Sequence, residues 1–257
     1  MFKSWVFLNG EKELSSPAVI YIGCMTGTSV DNQADFTAAA FDKTGLPIAY
    51  KNHAITIPAE LQCQLLELSK ANSDDISIIK RSHVEAIFTQ FLVTAYRSVI
   101  ESLELLHYPK AQIVLSPHGQ AINHQPYANP PYSDILINGD MLAHQTGCRV
   151  VTRHRQAPLV VSAAAPLAPI LIKKLFSSTI ENTILLNGGG IANICVLLKD
   201  QPKKIVACDT GPANGPLDEI VQYVLTNEPE KTPVDLKDNI IANKFDVDGR
   251  WAKQGKL

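Results

Sequence analysis

The chain reads as an α/β protein, and three observations carry that reading. Short apolar runs that suit strands alternate with longer stretches whose apolar residues recur at steps of three and four. Two strand–glycine turn–strand units, over residues 18–41 and 183–198, echo one another, as expected of a fold built from two related halves. At 257 residues the chain also exceeds what one hydrophobic core usually serves, so two domains are expected.

Residues 18–24 and 35–41 flank the turn Thr26-Gly27-Thr28-Ser29 and predict a hairpin, with 47–57 as a third strand. From about 76 to 106, Ile79, Val84, Ile87, Phe88, Phe91, Leu92, Ala95, Val99 and Leu103 mark the apolar face of one or two helices. Ile113-Val114-Leu115-Ser116 predicts a buried strand that ends in the loop Pro117-His118-Gly119-Gln120. A loop rich in Pro, Asn and Tyr is expected over 123–134, then a strand at 135–137, a helix at 139–146 and a strand at 149–152. An alanine-rich helix near 163–176 follows. The strand 183–186 enters the turn 187–193 and leaves through 194–198. Lys204 to Cys208 then runs into a loop at 209–216 that opens a helix, where Pro216 suits the first turn.

Composition narrows the function classes. A formal net charge of −2 supplies no general attraction to nucleic acid or to an anionic membrane. No apolar stretch approaches the roughly 18 residues of a membrane span, and the N-terminus makes a poor signal peptide. Cysteines at 24, 63, 148, 195 and 208 are odd in number and include no CxxC pair. They read as buried, reduced thiols of a cytoplasmic protein rather than a disulfide framework or a zinc site.

Three turns carry the chemistry. Thr26-Gly27-Thr28-Ser29-Val30-Asp31, Asn187-Gly188-Gly189-Gly190-Ile191-Ala192-Asn193 and Asp209-Thr210-Gly211-Pro212-Ala213-Asn214 each follow an apolar strand. Such turns aim backbone N–H groups and hydroxyls at one anion, and the last opens a helix whose dipole favours phosphate. Asp31 and Asp209 suit Mg²⁺, a hard cation that takes carboxylate oxygen. Any one of these turns alone is equally a plain hairpin connection. Three in one chain predict nucleotide or phosphate binding.

With His118-Gly119-Gln120, His124, Pro126, Gly139-Asp140 and Ala165-Pro166-Leu167 added, six motifs stand in an order that resembles the anhydro-N-acetylmuramic acid kinases. The resemblance spans essentially the whole chain. It implies the actin-like sugar-kinase fold, two ribonuclease-H-like lobes around a nucleotide cleft, here over 1–155 and 156–257. It implies ATP and Mg²⁺ as cofactors, a small sugar as partner and a homodimer. The family opens the 1,6-anhydro ring with water while moving the γ-phosphate of ATP to O6, a step of cell-wall sugar recycling. Carried over by position, Gly27, Thr28, Ser29, Val30, Asp31 and Asn32 cradle phosphates and metal. Gly189, Gly190, Asn193, Asp209, Thr210, Gly211 and Asn214 form the facing wall. His118, Gln120, His124 and Asp140 lie near the sugar, although Asp140 is also a natural helix cap and the histidines ordinary loop residues.

The sequence departs from the family where chemistry is at stake. After Asp31 the family continues Gly-x-Asp; here Asn32, Gln33 and Ala34 stand, and Asp35 comes one place late, on the opposite face of a strand. Where the family has Asp-Phe-Arg, the Asp being the base that activates water, the chain reads Arg153-His154-Arg155. A guanidinium stays protonated and has no lone pair to offer, so Arg153 cannot be that base and His154 is the candidate left. The glycines before Ala-Pro-Leu are replaced by Val161-Ser162-Ala163-Ala164, and the family continues past Leu257 into an adenosine-binding segment. An incomplete second lobe is therefore expected, and with it two readings. One is a kinase of this family, either with a missing C-terminal part or acting with a separately encoded partner; the other is a non-catalytic relative that binds nucleotide or sugar, or serves as an interaction protein, without turnover. A hydrolase using Ser29 or Cys208 finds no Gly-x-Ser-x-Gly elbow to support it.

Overall fold

The computed structural model describes residues 5–8, 19–27, 30, 32–70, 77–106, 108–156, 167–201 and 204–227. Thr28, Ser29, Asp31, the stretch 161–166 and the tail from 228 lie outside the described residues. The chain forms two compact units, Met1–Ala165 and Pro166–Leu257.

In the first unit the strands are β1 (Val6–Phe7), β2 (Ile20–Met25), β3 (Gln33–Phe41), β4 (Pro47–Thr56), β5 (Ile113–Pro117), β6 (Gln120–Gln125), β7 (Tyr132–Leu136) and β8 (Arg149–Val150). Six of them make a mixed sheet in the order β1-β4-β3-β2-β5-β8, and β6 and β7 form a separate hairpin. The expected hairpin and third strand are present: β2, β3 and β4 run antiparallel in succession. Alternation decides which face is covered. Ala34, Phe36, Ala38 and Ala40 are buried on one side of β3, while Gln33, Asp35 and Thr37 point to the exposed side. Asp35 therefore does not replace a carboxylate at position 34, where Ala34 is wholly buried.

Among the described residues three α-helices accompany the sheet: α1 (Ala59–Lys70), α2 (Ile78–Ser102) and α3 (Gly139–Thr146). The long apolar pattern is one helix, and Val84, Phe88, Leu92, Tyr96 and Val99 form its buried stripe. Ile79 does not belong to that face; it is 83% exposed, and the helix's buried residues begin at Val84. Tyr96 anchors the stripe. Its ring meets Phe36 edge-on at 5.0 Å, and its hydroxyl donates to the Ile22 carbonyl at 3.4 Å. Each such side chain taken from water stabilises the fold by about 1.5–3 kcal/mol. The helix α1, unread in the sequence, was visible in Leu61, Leu65 and Leu68, spaced by four and three and all buried. The stretch expected as a loop over 123–134 is largely hairpin, since β6 and β7 pair across it.

The second unit holds β9 (Thr183–Gly188), β10 (Ile191–Leu197) and β11 (Ile205–Pro212) as an antiparallel sheet in the order β11-β10-β9, with α4 (Pro169–Phe176) and α5 (Gly215–Asn227). Two boundaries differ from expectation. Asn193 is a strand residue paired with Asn187 and Asp209, so the turn is confined to Gly189 and Gly190. Asp209, Thr210 and Gly211 belong to β11 rather than to a loop. Glycine-rich sequence reads as a turn, yet a two-residue turn leaves the remainder free to pair. Among the described residues no helix is long and apolar enough to cross a membrane. The five cysteines are free; Cys24, Cys148 and Cys195 are buried as expected, whereas Cys63 and Cys208 are exposed.

Candidate functional site

The strands β2, β5 and β8 are parallel to one another, so their C-terminal ends share one edge of the first sheet. Ligands in open α/β sheets collect at that edge, because the loops leaving it carry side chains the sheet does not need. Here the loops are the turn after β2, the His-Gly-Gln loop after β5 and the segment 152–156 after β8. The His118 N–H donates to the Cys24 carbonyl at 2.9 Å and ties the first two together.

Thr26 is buried and donates its hydroxyl to Oε1 of buried Gln120 at 2.6 Å. The Gln120 amide donates in turn to the Gly27 carbonyl at 3.3 Å. Gln120 thus holds the mouth of the first turn and is a support for it. Gly27 has φ of +66°, and among the described residues no heavy atom beyond its chain neighbours lies within 4 Å of where a Cβ would stand. Val30 is also left-handed, at +47°, with its side chain wholly buried and its carbonyl accepting from Nε2 of Gln62 at 2.8 Å. Any part Val30 plays toward a phosphate comes from its N–H. The Asn32 carbonyl accepts from the Ile57 N–H at 2.8 Å, which fixes the entry to β3.

The histidines lie close together. His118 Nδ1 stands 2.9 Å from the Gly119 carbonyl, and Nε2 receives the Nε–H of Arg155 at 3.0 Å. A carbonyl accepts only from N–H, and Arg155 only donates, so the arrangement requires the neutral Nδ1–H tautomer. Burial holds His118 below its ordinary value, with Arg155, His154 and His124 adding to the depression and the Gly119 contact opposing it. His124, on β6, faces Ser133 Oγ at 3.1 Å and is likewise lowered, by burial and then by Arg155. His154 Nε2 lies 3.3 Å from Ser116 Oγ at the end of β5.

Beside this cluster a cleft of about 800 Å³ opens within the first unit, lined among others by Arg81, Asp134, Asp140, Thr152 and Arg153. Arg81 grips Asp134 with two bonds, Nε to Oδ2 at 2.8 Å and an Nη to Oδ1 at 2.6 Å. Its other Nη reaches Glu85 at 3.4 Å, and Glu85 accepts the Ile137 N–H at 3.0 Å. The Asn138 N–H is bound by the Thr89 hydroxyl at 3.1 Å. Helix α2 therefore sets the backbone that leads into Asp140. Asp140 is not the helix cap: Asn138 Oδ1 accepts the Met141 N–H at 2.9 Å. Asp140 sits exposed in the first turn of α3, where a carboxylate complements the helix dipole and remains available to a ligand. Arg153 is exposed at the cleft wall with φ of +60°, in a turn closed by the Gln156 N–H on its carbonyl at 3.0 Å.

The second unit gathers the other candidates by itself. The Ala213 and Gly215 N–H groups donate to the Gly190 carbonyl at 3.1 Å each, and the Asn214 N–H to the Gly189 carbonyl at 3.0 Å. Asn214 Nδ2 donates to the Gly188 carbonyl at 3.0 Å. The two glycine segments are thus laced into one structure, and the N–H groups of residues 213–215 are committed to it rather than aimed at an anion. Between Asn193↔Asp209 and Ala192↔Gly211 the register slips, leaving Thr210 as the extra residue of a bulge. Its hydroxyl donates to the Ala192 carbonyl at 3.2 Å, and Asp209 stands exposed beside it. Among the described residues no group of three His, Cys, Asp or Glu forms a metal cage.

The structure thus brings Thr26, Gly27, His118, Gln120 and Arg155 to one sheet edge, with Asp140 and Arg153 on the neighbouring cleft wall. Arg81, Glu85 and Asp134 were missed by sequence reasoning. The i,i+4 spacing of Arg81 and Glu85 was a signal of a pair; nothing local joins Arg81 to Asp134, 53 residues away.

Residues 19–257 match the family model described as Anhydro-N-acetylmuramic acid kinase. The anhydro-N-acetylmuramic acid kinase of Idiomarina loihiensis is 30% identical over 238 residues, covering 92% of this chain and 58% of that protein. That of Chromohalobacter salexigens is 32% identical over 240 residues, covering 93% and 59%. The chain spans less than two thirds of the length of these relatives. Among solved structures, the ethanolamine utilization protein EutJ from Carboxydothermus hydrogenoformans aligns over 89% of this chain and 62% of its own, with a TM-score of 0.36 and 14% identity, too little to bear on the fold. With the family model matched from the start of β2 through the last residue, this chain belongs to the anhydro-N-acetylmuramic acid kinase family.

Proposed function

We propose that the chain is part of an ATP-dependent kinase of anhydro-N-acetylmuramic acid, one that adds water across the 1,6-anhydro bond and phosphorylates O6. The observation that carries the reading is the family match over 239 contiguous positions, 19–257, which includes all six motifs. Such an enzyme works in the cytoplasm, where ATP is supplied, through two ribonuclease-H-like lobes and as a homodimer. The matching three-stranded antiparallel meanders, β2–β4 and β9–β11, support two related lobes.

The residues present fit a nucleotide in part. Among the described residues no heavy atom beyond each glycine's chain neighbours lies within 4 Å of the Cβ position at Gly27, Gly188 or Gly211, which supports close approach of a phosphate to the backbone there. Gly27, Thr28, Ser29 and Asp31, with the Gly189–Gly190 turn and Asp209, are the residues that would hold ATP and Mg²⁺. Bound there, ATP supplies the phosphoryl group and Mg²⁺ neutralises its charge. Asp140 would accept from a sugar hydroxyl. In the segment 153–155 only His154 can take a proton from water. Arg153 and Arg155 stay protonated, and His118 has both ring nitrogens engaged.

One observation favours a second reading, binding without turnover. The wall position expected to carry the base is the cation Arg153. The experiment is ADP release from the full-length protein with ATP and Mg²⁺, with and without anhydro-N-acetylmuramic acid. Stimulation by the sugar supports the kinase. ATP binding by calorimetry without stimulated release supports the binding reading, and Arg153→Asp then restores turnover if the base alone was lost.

A further inference from the structure

Helix α2 meets the corner between β7 and α3 through a ladder of polar side chains. Arg81, Glu85 and Thr89 follow one another at steps of four, so they share one face of the helix. Arg81 binds both oxygens of the Asp134 carboxylate, at 2.8 Å and 2.6 Å. Glu85 accepts the Ile137 N–H at 3.0 Å, and Thr89 Oγ1 accepts the Asn138 N–H at 3.1 Å. The spacings match. From Arg81 to Thr89 the helix rises about 12 Å, and from Asp134 to Asn138 an extended chain spans about 13 Å. Helix and chain therefore run in step, each rung lying further toward α3.

The last two rungs stand where strand pairing stops. β7 ends its pairing with β6 at Leu136, opposite Gln120. The next two N–H groups, of Ile137 and Asn138, are taken by Glu85 and Thr89 in place of a strand. Asn138 then caps α3 through Oδ1, and Gln90 and Arg97 of α2 hold Gln145 near the other end of α3. Thr152 closes on Gly139, where a Cβ would stand 3.1 Å from its methyl group. The first turn of α3 is thus fixed both by α2 and by the segment after β8. Asp140 lies in that turn, on the wall of the cleft it shares with Arg153.

We propose that Glu85 and Thr89, with Arg81 fixing the register of the ladder, are positioning residues for Asp140. They act through the backbone of residues 137 and 138, and a shift there carries the Asp140 carboxylate along the cleft wall. The other two carboxylates of the cleft are spent, Asp134 on Arg81 and Glu85 on Arg81 and the Ile137 N–H. Asp140 is left for a ligand. The effect on sugar binding rests on Asp140 being the sugar contact proposed for it; the placement of Asp140 does not.

The experiment compares Thr89→Val, which keeps the shape and loses the acceptor, with Thr89→Ser, which keeps the acceptor. Glu85→Leu and Glu85→Gln are compared in the same way. The full chain is titrated with anhydro-N-acetylmuramic acid by calorimetry, and amide exchange reads the first turn of α3. Loss of one rung should quicken exchange at Met141 and Leu142 about tenfold, the equivalent of one hydrogen bond, while Ile22 and Leu115 hold. Sugar affinity should fall about tenfold in Thr89→Val and Glu85→Leu and recover in Thr89→Ser and Glu85→Gln. In an Asp140→Asn background Thr89→Val should cost no further affinity, since its effect passes through Asp140. Unchanged exchange at Met141 and Leu142 overturns the proposal. So does an affinity that Asp140→Asn lowers and Thr89→Val does not, or an equal loss from Thr89→Val with and without Asp140. Sugar binding that is absent, or indifferent to Asp140→Asn, removes the sugar contact alone; quickened exchange confined to α3 then still assigns the placement of Asp140 to α2.

Discussion

Arg155 donates its Nε–H to Nε2 of His118 at 3.0 Å, and His118 faces the Gly119 carbonyl through Nδ1 at 2.9 Å. The pair joins the loop after β5 to the segment after β8 and leaves His118 with no lone pair to accept a proton. Nitrogen-15 spectra of the imidazoles should therefore show His118 as the neutral Nδ1–H tautomer at pH 7, titrating below its ordinary 6.5. Arg155→Ala removes a positive neighbour and should raise that midpoint. A His118 that is charged at pH 7 contradicts the arrangement.

The same depression has a consequence for stability. His118 and His124 both sit below the ordinary 6.5 in the folded chain, burial being the first cause in each. Above that value neither the folded nor the unfolded chain binds the proton, and the contribution to stability is fully present. As the pH falls from 6.5 through the folded-state values, the unfolded chain takes up protons first and stability is lost. Urea midpoints should decline over that window, and less steeply in His118→Asn. An equal slope in the variant would remove His118 from the account.

Gly119 is held at φ of +77°, and a Cβ there would stand 2.7 Å from Ile135 Cγ2 and 2.8 Å from the Leu136 carbonyl. The β6–β7 hairpin cannot retreat without opening its own ladder. Gly119→Ala should cost about 2–4 kcal/mol by urea denaturation, the sum of a strained backbone and an overfilled contact. A loss under about 1 kcal/mol would mean that the loop re-forms elsewhere.

Thr26 and Gln120 are a buried pair 94 residues apart in sequence. Gln120→Ala leaves the Thr26 hydroxyl and the Gly27 carbonyl without this partner and should cost about 1–3 kcal/mol. Thr26→Ser keeps the donor and should cost less. Amide exchange at Gly27 is expected to quicken in the first variant and hold in the second, which separates loss of the turn from general destabilisation.

Much of the fold was legible because its signals are local. The short apolar runs at 18–24 and 35–41, on either side of the Thr-Gly-Thr-Ser turn, located β2 and β3 as a hairpin. The period of three to four from Val84 to Val99 located α2. Local signals failed where pairing overrode composition. Asp209 to Gly211 and Asn193 look like loop residues, yet the ladder between β10 and β11 takes them in and leaves Thr210 as a bulge. Tyr132 to Asp134, in a stretch rich in Pro and Asn, are strand because β6 is beside them.

By itself the sequence determined the family, the order of the three glycine turns and the chemistry of the segment after β8. That Arg153 cannot act as a base follows from the guanidinium alone. Only the tertiary structure decided which partners those groups have. Arg155 occupies His118, Gln120 supports Thr26, Asn138 caps α3 in place of Asp140, and the N–H groups of 213–215 are spent on glycine carbonyls. The reason is the same in each case. A residue's type fixes what it can donate or accept, while the choice among partners depends on which groups the sheet carries to the same edge from distant points in the chain.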